Sequence, residues 1–217
     1  SPSRGLGDVY KRQVREGVRS SLEAVRVART HGGDQVPRTE RDTPITIVGV
    51  GTIALAVPIF LVFMLVVDRT ALGITSGLYW GALAIGTLFA LTAGFLFASV
   101  AGYMAGLVGS SNNPISGVTI ATILLISLIL YMLLGSQIDF TVSGAQALSA
   151  STTAILVGAV VACAAAIAGD NMQDLKAVRS VGATPFRQQI MQMIGVIAGA
   201  LAIAPILGLL YLSLIHI

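Results

Sequence analysis

The chain has 217 residues, of which 55% are hydrophobic and 11% are charged, and its formal net charge is +3. Soluble globular domains average roughly 45–50% apolar and 25% charged residues. Between Arg69 and Asp139 lie 69 residues without a charge, and a charge at the centre of a bilayer costs roughly 2.5–3.5 kcal/mol. The composition therefore excludes an ordinary soluble domain and predicts a polytopic membrane protein.

The N-terminal part is polar and basic, because nine of the 13 Lys and Arg residues precede Pro44. Within residues 14–43, apolar residues recur at helical spacing and predict a basic amphipathic segment; they are Val14, Val18, Leu22 and Val25. Two interpretations are open, a helix lying on anionic lipid headgroups or a solvated helix connecting two spans. Residues 1–13 and 213–217 resemble translated sequencing-adapter read-through, so the fold prediction leaves them out.

Uncharged windows predict an all-α transmembrane helix bundle of about five spans, with one interrupted or re-entrant segment. The predicted spans are 45–67, 77–101, 118–134, 152–168 and 189–211, and each exceeds or approaches the length that crosses a hydrocarbon core of about 30 Å. Thr43-Pro44 and Thr184-Pro185 are typical of a helix start, with a capping residue followed by proline. Pro58 is expected to kink the first span.

The second apolar region is too long for a single span. Residues 77–109 would extend about 50 Å as a helix, so its glycine-rich end is expected to tilt, fold back or unwind at Gly102, Gly106 and Gly109. A breaker segment, SSNNPISG at 110–117, follows. The pairs Gly77/Gly81, Gly102/Gly106 and Gly195/Gly199 have GxxxG spacing, which permits close helix contact but arises often by chance in apolar segments.

Charge placement predicts the topology. The N-terminal segment, the breaker segment and residues 169–188 fall on one side and carry nine, no and three Lys or Arg residues, whereas the other side carries only Arg69. The positive-inside rule then places the N-terminal segment and the loop 169–188 in the cytoplasm. We expect an integral protein of a bacterial or archaeal cytoplasmic membrane.

Few residues offer catalytic or metal-binding chemistry. The chain has two histidines, His31 and His216, and one cysteine, Cys163. No His-based metal site or catalytic triad can be assembled from them, and Cys163 is interpreted as a small residue of the core. The prediction is a protein that is not an enzyme, has no cofactor and binds no nucleic acid.

Four polar residues after the fourth span are candidates for coupling or gating: Asp170, Asn171, Gln173 and Asp174. Carboxylates so close to a membrane core are candidates for function. The competing interpretation is structural, with Asp170 as the N-cap and Gln173 as the N3 residue of a short cytoplasmic helix. A calcium loop is rejected, because the central glycine and the closing glutamate are missing.

The breaker segment supplies the candidates for substrate binding or for the transport pathway: Ser111, Asn112, Asn113, Pro114 and Gly117. A proline and paired asparagines amid uncharged sequence leave backbone groups that must be satisfied within protein or a wet cavity. Discontinuous helices of this kind form midplane substrate sites in transporters. An ordinary turn outside the membrane is about as compatible with the residues.

Two long stretches, AGYMAGLVGSSNNPISGVTIATIL at 101–124 and AGDNMQDLKAVRSVGATPFRQQ at 168–189, resemble the oligopeptide transporter (OPT) family, as does ERDTP at 40–44. Family members are longer, so the resemblance implies an internal piece of a larger protein. It also implies secondary active transport of small oligopeptides or peptide-like metal chelates, commonly driven by protons. The alternative is a membrane-embedded enzyme or assembly subunit.

Overall fold

The computed structural model describes residues 37–140 and 144–215. The predicted amphipathic helix within 14–36, and residues 1–13, 216 and 217, lie outside this part of the chain. Two short 3-10 helices occur, at Arg38–Glu40 and Ser110–Asn112. The α-helices are α1 (Ile45–Ala54), α2 (Ala56–Val66), α3 (Arg69–Leu72), α4 (Ser76–Val108), α5 (Ile115–Leu134), α6 (Ala145–Ser180) and α7 (Pro185–Ile215).

Five helical stretches are long and apolar enough to cross a membrane: α1 together with α2, and α4, α5, α6 and α7. The described residues contain no β-strand. The prediction of an all-helical bundle with about five spans is therefore confirmed.

The first span is divided into α1 and α2 at Leu55. Pro58 lies three residues later and has no N–H to donate to the carbonyl of Ala54, so the helical hydrogen-bond pattern is interrupted there. The helix resumes at once, because the amide of Ile59 donates to the carbonyl of Leu55 at 3.1 Å. The break lies where the sequence predicted a kink.

Helix α4 is continuous for 33 residues, so the predicted unwinding at Gly102 and Gly106 is wrong. These glycines serve packing instead, because a Cβ at Gly102 would lie 3.1 Å from Cγ of Met172 on α6. The helix ends only at Gly109, whose φ of 90° is a conformation that favours glycine. Of the three GxxxG pairs, only Gly102/Gly106 lies against another described helix: a Cβ atom added at either glycine would be within 4 Å of Met172.

Helix α6 runs for 36 residues through the segment predicted as the loop 169–188 and ends at Ser180. Asp170 is therefore inside a helix and is not an N-cap, so that prediction is wrong. The residues from 170 to 180 contain no proline or glycine, and the first strong stop is Gly182, with φ of 69°. At 1.5 Å per residue, α6 is about 54 Å long, and its polar end exceeds the thickness of a bilayer core.

Helices α4, α5 and α6 form an inner bundle. Gly86 on α4 faces Val157 on α6, and Gly94 faces Ala164 further along, so these two helices run parallel. Helix α5 runs antiparallel to them, with Ile123 against Gly158. The buried core follows these contacts and includes Leu83, Ala101, Ile126, Leu130, Val157, Val161 and Ala165. Cys163, predicted as a core residue, is exposed on α6, because the buried face of the helix passes through Val161 and Ala165.

Helix α7 lies outside this bundle and contacts it near its N-terminal end. There the Gln189 Oε1 atom accepts hydrogen bonds from the backbone amide of Thr43, at 3.0 Å, and from the Thr43 hydroxyl. Thr43 was predicted to cap α1, but its side chain binds α7 instead, and no side-chain cap bond occurs at that helix start. These bonds place residues 41–44 and the α6–α7 connection at one end of the fold.

Candidate substrate-pathway site at the Asn-Asn-Pro turn

Residues 109–114, here called the Asn-Asn-Pro turn, reverse the chain between α4 and α5. The amide of Asn112 donates to the carbonyl of Gly109 at 3.3 Å, and the amide of Asn113 donates to that of Ser110 at 3.0 Å. The Asn112 side chain donates to the carbonyl of Val108 at 3.1 Å, so it satisfies one of the free carbonyls at the C-terminus of α4. The two asparagines therefore differ in role, since Asn112 stabilises its own turn.

Asn113 reaches across to α6. Its Nδ2 atom donates to the carbonyl of Ala165 at 3.4 Å, and the side chain lies against Gly169, one helical turn further along. A Cβ atom at Gly169 would collide with Asn113 Nδ2 and would lie 3.7 Å from the Cβ of Ala105 on α4. The absence of a side chain at Gly169 therefore creates the space that Asn113 occupies.

The other amide atom of Asn113 is unsatisfied. Its Oδ1 atom is buried and has no hydrogen-bond partner within residues 37–140 and 144–215. An unpaired buried acceptor costs about 1–3 kcal/mol, and such groups in native proteins call for an explanation by a ligand, water or further protein. The arrangement can accept an N–H or O–H group brought to this junction.

Two further contacts join the turn and the end of α4 to the polar end of α6. Ser110 Oγ donates to Gln173 Oε1, and Lys176 Nζ donates to the carbonyl of Gly106 at 3.0 Å. Lys176 places a positive charge beside the C-terminus of α4, where the helix dipole is negative. Gln173, a predicted coupling candidate, is thus connected to the turn itself.

The remaining polar residues of α6 face α7 or solvent. Gln192 on α7 donates from Nε2 to Asp174 Oδ2 at 3.3 Å and to the carbonyl of Asn171 at 3.4 Å. Asp170 is exposed. The predicted group of four is therefore divided: Gln173 contacts the turn, Asn171 and Asp174 contact α7, and Asp170 points outward.

The predicted substrate candidates are divided in the same way. Ser111, Asn112, Pro114 and Gly117 are exposed, and only Asn113 is part of the packed junction. Sequence reasoning missed Gly169, Ser110, Lys176 and Gln192 as parts of this region. The position of Gly169 at the end of an alanine-rich span could have indicated its role, because small residues let a neighbouring segment approach a helix closely.

The turn lies at an end of the helix bundle. Helix α5 has 20 residues and is therefore about 30 Å long, enough to cross the hydrocarbon core by itself. The turn therefore joins two helices that are each long enough to cross the hydrocarbon core. The described residues also contain no group of three or more His, Cys, Asp or Glu side chains that could hold a metal ion.

Five long apolar helices and a packed inner bundle define a polytopic helical membrane protein. The match to the family model described as OPT oligopeptide transporter protein covers residues 9–214. The chain belongs to the OPT oligopeptide transporter family. This is a family of transporters and not of enzymes, in agreement with the prediction from the sequence.

A curated relative from Haemophilus influenzae, named "Putative oligopeptide transporter", is 47% identical over 109 residues. The aligned stretch is 50% of this chain and 17% of the relative. The chain therefore spans a small part of the relative's length. No solved structure gives a significant match.

Proposed function

We propose that this chain is a segment of a secondary active transporter that moves small oligopeptides or peptide-like metal chelates across a membrane, driven by protons. The match to the family over residues 9–214 carries this proposal, and the name of the Haemophilus relative agrees with a peptide as substrate. Transport by helix bundles commonly uses polar groups at interruptions between helices. In this chain the interruption is the Asn-Asn-Pro turn.

Within that segment, Asn113 is the substrate-pathway residue that we favour. Its buried Oδ1 atom has no donor among the described residues, and peptides supply donors in their amide N–H groups and their amino terminus. Ala165 holds the opposite side of the amide through Nδ2, so Oδ1 has a fixed direction. A substrate N–H would satisfy the acceptor at the moment of passage.

The test is peptide uptake by the complete transporter that contains this segment, with Asn113→Ala compared with Asn112→Ala. Asn113→Ala should lower uptake at least tenfold, because the acceptor is removed. Asn112→Ala should lower it less than twofold, since Asn112 stabilises its own turn. Equal uptake by both variants, at equal amounts in the membrane, would remove Asn113 from the pathway.

Proton coupling is assigned to the polar end of α6, and Asp174 is favoured over Asp170. Both carboxylates are exposed, but Asp174 accepts from Gln192 on α7, so a change in its protonation alters a contact between two helices. Asp174→Asn should abolish the stimulation of uptake by an inward proton gradient, and Asp170→Asn should retain it. Retention of the stimulation in both variants would contradict this assignment.

We also propose that the end containing the Asn-Asn-Pro turn faces the cytoplasm of a bacterial or archaeal cell. The bias of Lys and Arg supports this orientation. In a Cys163→Ser background, Ser136→Cys should react with an impermeant thiol reagent added to intact cells, and Ser180→Cys should not. The opposite pattern would invert the topology.

A further inference from the structure

A concave pocket of about 350 Å³ lies beside the start of α7. Three arginines, one threonine and one phenylalanine line it: Arg38, Arg41, Thr184, Phe186 and Arg187. Its volume is at the lower end of the range of about 300–1,000 Å³ for small-molecule sites. The pocket is separate from the Asn-Asn-Pro turn, whose residues do not line it.

Two distant segments form the pocket walls, and hydrogen bonds hold them together. The amide of Phe186 donates to the carbonyl of Arg41 at 2.9 Å. Gln189 accepts from the amide of Thr43 at 3.0 Å and donates to Asp42 Oδ1 at 3.2 Å. These hydrogen bonds join the two segments that carry the arginines, and the bond between Thr43 and Gln189 links residues 146 positions apart.

The described residues that line the pocket carry positive charge. Each arginine supplies a guanidinium cation, and no carboxylate is among the described residues of the lining. The carboxylate of Asp42 is bound to Gln189 and does not line the pocket. Arginine binds phosphate through two parallel N–H···O bonds, and Thr184 adds a hydroxyl donor. The chemistry favours a phosphate group.

The position of the pocket favours a phospholipid as the source of that phosphate. The pocket lies where α1 and α7 begin, and the most apolar windows of these two spans are 6% and 0% buried in the fold. A headgroup held by the arginines would direct its acyl chains along these exposed apolar helices. Phe186 is 37% exposed and supplies an apolar wall between the charged groups and the helix surface.

We propose that Arg38, Arg41, Arg187 and Thr184 form a binding site for the phosphate of an anionic phospholipid. The site positions α7 against residues 38–43 when the lipid is bound. It is independent of the transport proposal, since no residue of the Asn-Asn-Pro turn contributes to it.

The test measures phosphatidylglycerol retained by the purified protein in a neutral detergent, by native mass spectrometry over a range of lipid concentrations. The double substitution Arg38→Gln/Arg187→Gln should weaken phosphatidylglycerol binding at least tenfold and leave binding of diacylglycerol, a neutral lipid without phosphate, unchanged. Arg41 is kept, because it has interactions of its own within the protein. The conservative pair Arg38→Lys/Arg187→Lys should lose less, because charge remains but bidentate bonding is lost.

The matched control is Arg69→Gln/Arg179→Gln, which removes the same charge from exposed positions outside the pocket. It should change phosphatidylglycerol binding less than twofold. An equal loss in the control would show that attraction is general and would overturn the site. Full competition by inorganic phosphate at the same concentration as the lipid would identify free phosphate as the ligand and overturn the lipid assignment.

A folding defect is separated from a binding defect by the melting temperature in the neutral detergent without phospholipid. Both double variants should melt within about 2 °C of the parent protein there, since the substituted arginines are exposed and such substitutions usually change stability little. Added phosphatidylglycerol should raise the melting temperature of the parent protein and of the control. If it raises that of Arg38→Gln/Arg187→Gln equally, the proposal is wrong.

Discussion

Helices α4 and α7 have similar lengths, 33 and 31 residues, but they differ in how they are buried. In the most apolar window of α4, 28% of the residues are buried in the fold, and in that of α7 none are. Both helices contain GxxxG spacing, but a Cβ atom added at Gly102 or Gly106 on α4 would contact Met172, whereas one added at Gly195 or Gly199 on α7 would have no neighbour within 4 Å in the described part of the chain. The sequence spacing therefore permits close packing without specifying which helix is packed.

The difference in burial between α4 and α7 is possible because lipid, and not water, surrounds the helices of a membrane protein. In a bilayer, lipid is as apolar as leucine, so exposing an apolar face costs little and close helix contact depends on van der Waals packing and hydrogen bonds. The inner bundle of α4, α5 and α6 has small residues at its contacts, namely Gly86, Gly94, Gly158 and Ala164. Helix α7 exposes large residues along its length and is suited to contact lipid or further helices.

The largest expected effect comes from filling a glycine contact of the inner bundle. A Cβ atom at Gly158 would lie 2.6 Å from Cγ1 of Ile123, so Gly158→Leu must separate α5 from α6 and should cost about 3 kcal/mol. The measurement is unfolding by sodium dodecyl sulfate in mixed micelles. Gly199→Leu is the control and should leave stability unchanged or raise it by up to about 1 kcal/mol, because leucine favours helix over glycine. Equal loss in both variants would refute the contrast between inner and outer helices.

A cavity in the inner bundle should have the next largest effect. Ile126 is 0% exposed and Ile203 on α7 is 57% exposed. Ile126→Ala should destabilise the fold by about 2 kcal/mol, the low end for buried isoleucine, because unfolded helices remain in lipid. Ile203→Ala should change it by less than about 0.5 kcal/mol. A loss at Ile203 as large as at Ile126 would mean that α7 is packed in the purified protein.

The hydrogen bond from Lys176 to Gly106 should contribute less. Lys176→Met removes the donor at the polar ends of α4 and α6 but keeps an apolar stem, and the expected loss is about 1 kcal/mol. Arg179→Met is the control, because Arg179 is an exposed cation near the end of the same helix. The measurement is the same unfolding titration, and similar results for both would show that the bond adds nothing.

The smallest effect is expected at the opposite end of the bundle. The Asp68 carboxylate accepts from the hydroxyl and the backbone amide of Thr70, and these bonds lower the pKa of Asp68 below its ordinary value. A lowered pKa in the folded state means that this contribution is present above the ordinary pKa, near pH 4, and is lost as the pH falls through the folded value. Asp68→Ala should remove that part of the pH dependence, seen in the melting temperature as the pH is lowered from 6 to 2. An unchanged pH profile would contradict the role of the cap.

The number and approximate positions of the spans could be predicted, because the bilayer excludes charge and four long uncharged stretches follow Asp42, the longest of which is divided by the breaker segment 110–117. The ends of α4 and α6 could not. A glycine at position 102 is compatible both with a helix break and with close packing against another helix. The sequence alone does not show that Met172 packs against it. Asp170 has the features of an N-cap, but α6 was already helical before it and meets no breaker until Gly182.

Within the candidate site, the sequence identified the region but not the pairing. Both asparagines were singled out together, and the structure separates them, since Asn112 binds the carbonyl of Val108 and Asn113 that of Ala165. The second bond joins residues 52 positions apart. Such a contact depends on how α5 and α6 pack, which a single sequence does not encode locally.

The contact between Asn113 and Gly169 has a consequence for evolution. A single added methyl group at Gly169 would occupy the space of the Asn113 amide, so a larger residue at 169 requires the Asn113 side chain to move or to be replaced by a smaller one. Among relatives with this fold, alanine or serine at position 169 should occur together with a smaller residue at position 113. A relative that is larger at 169 and keeps asparagine at 113 should carry this asparagine in a different side-chain conformation.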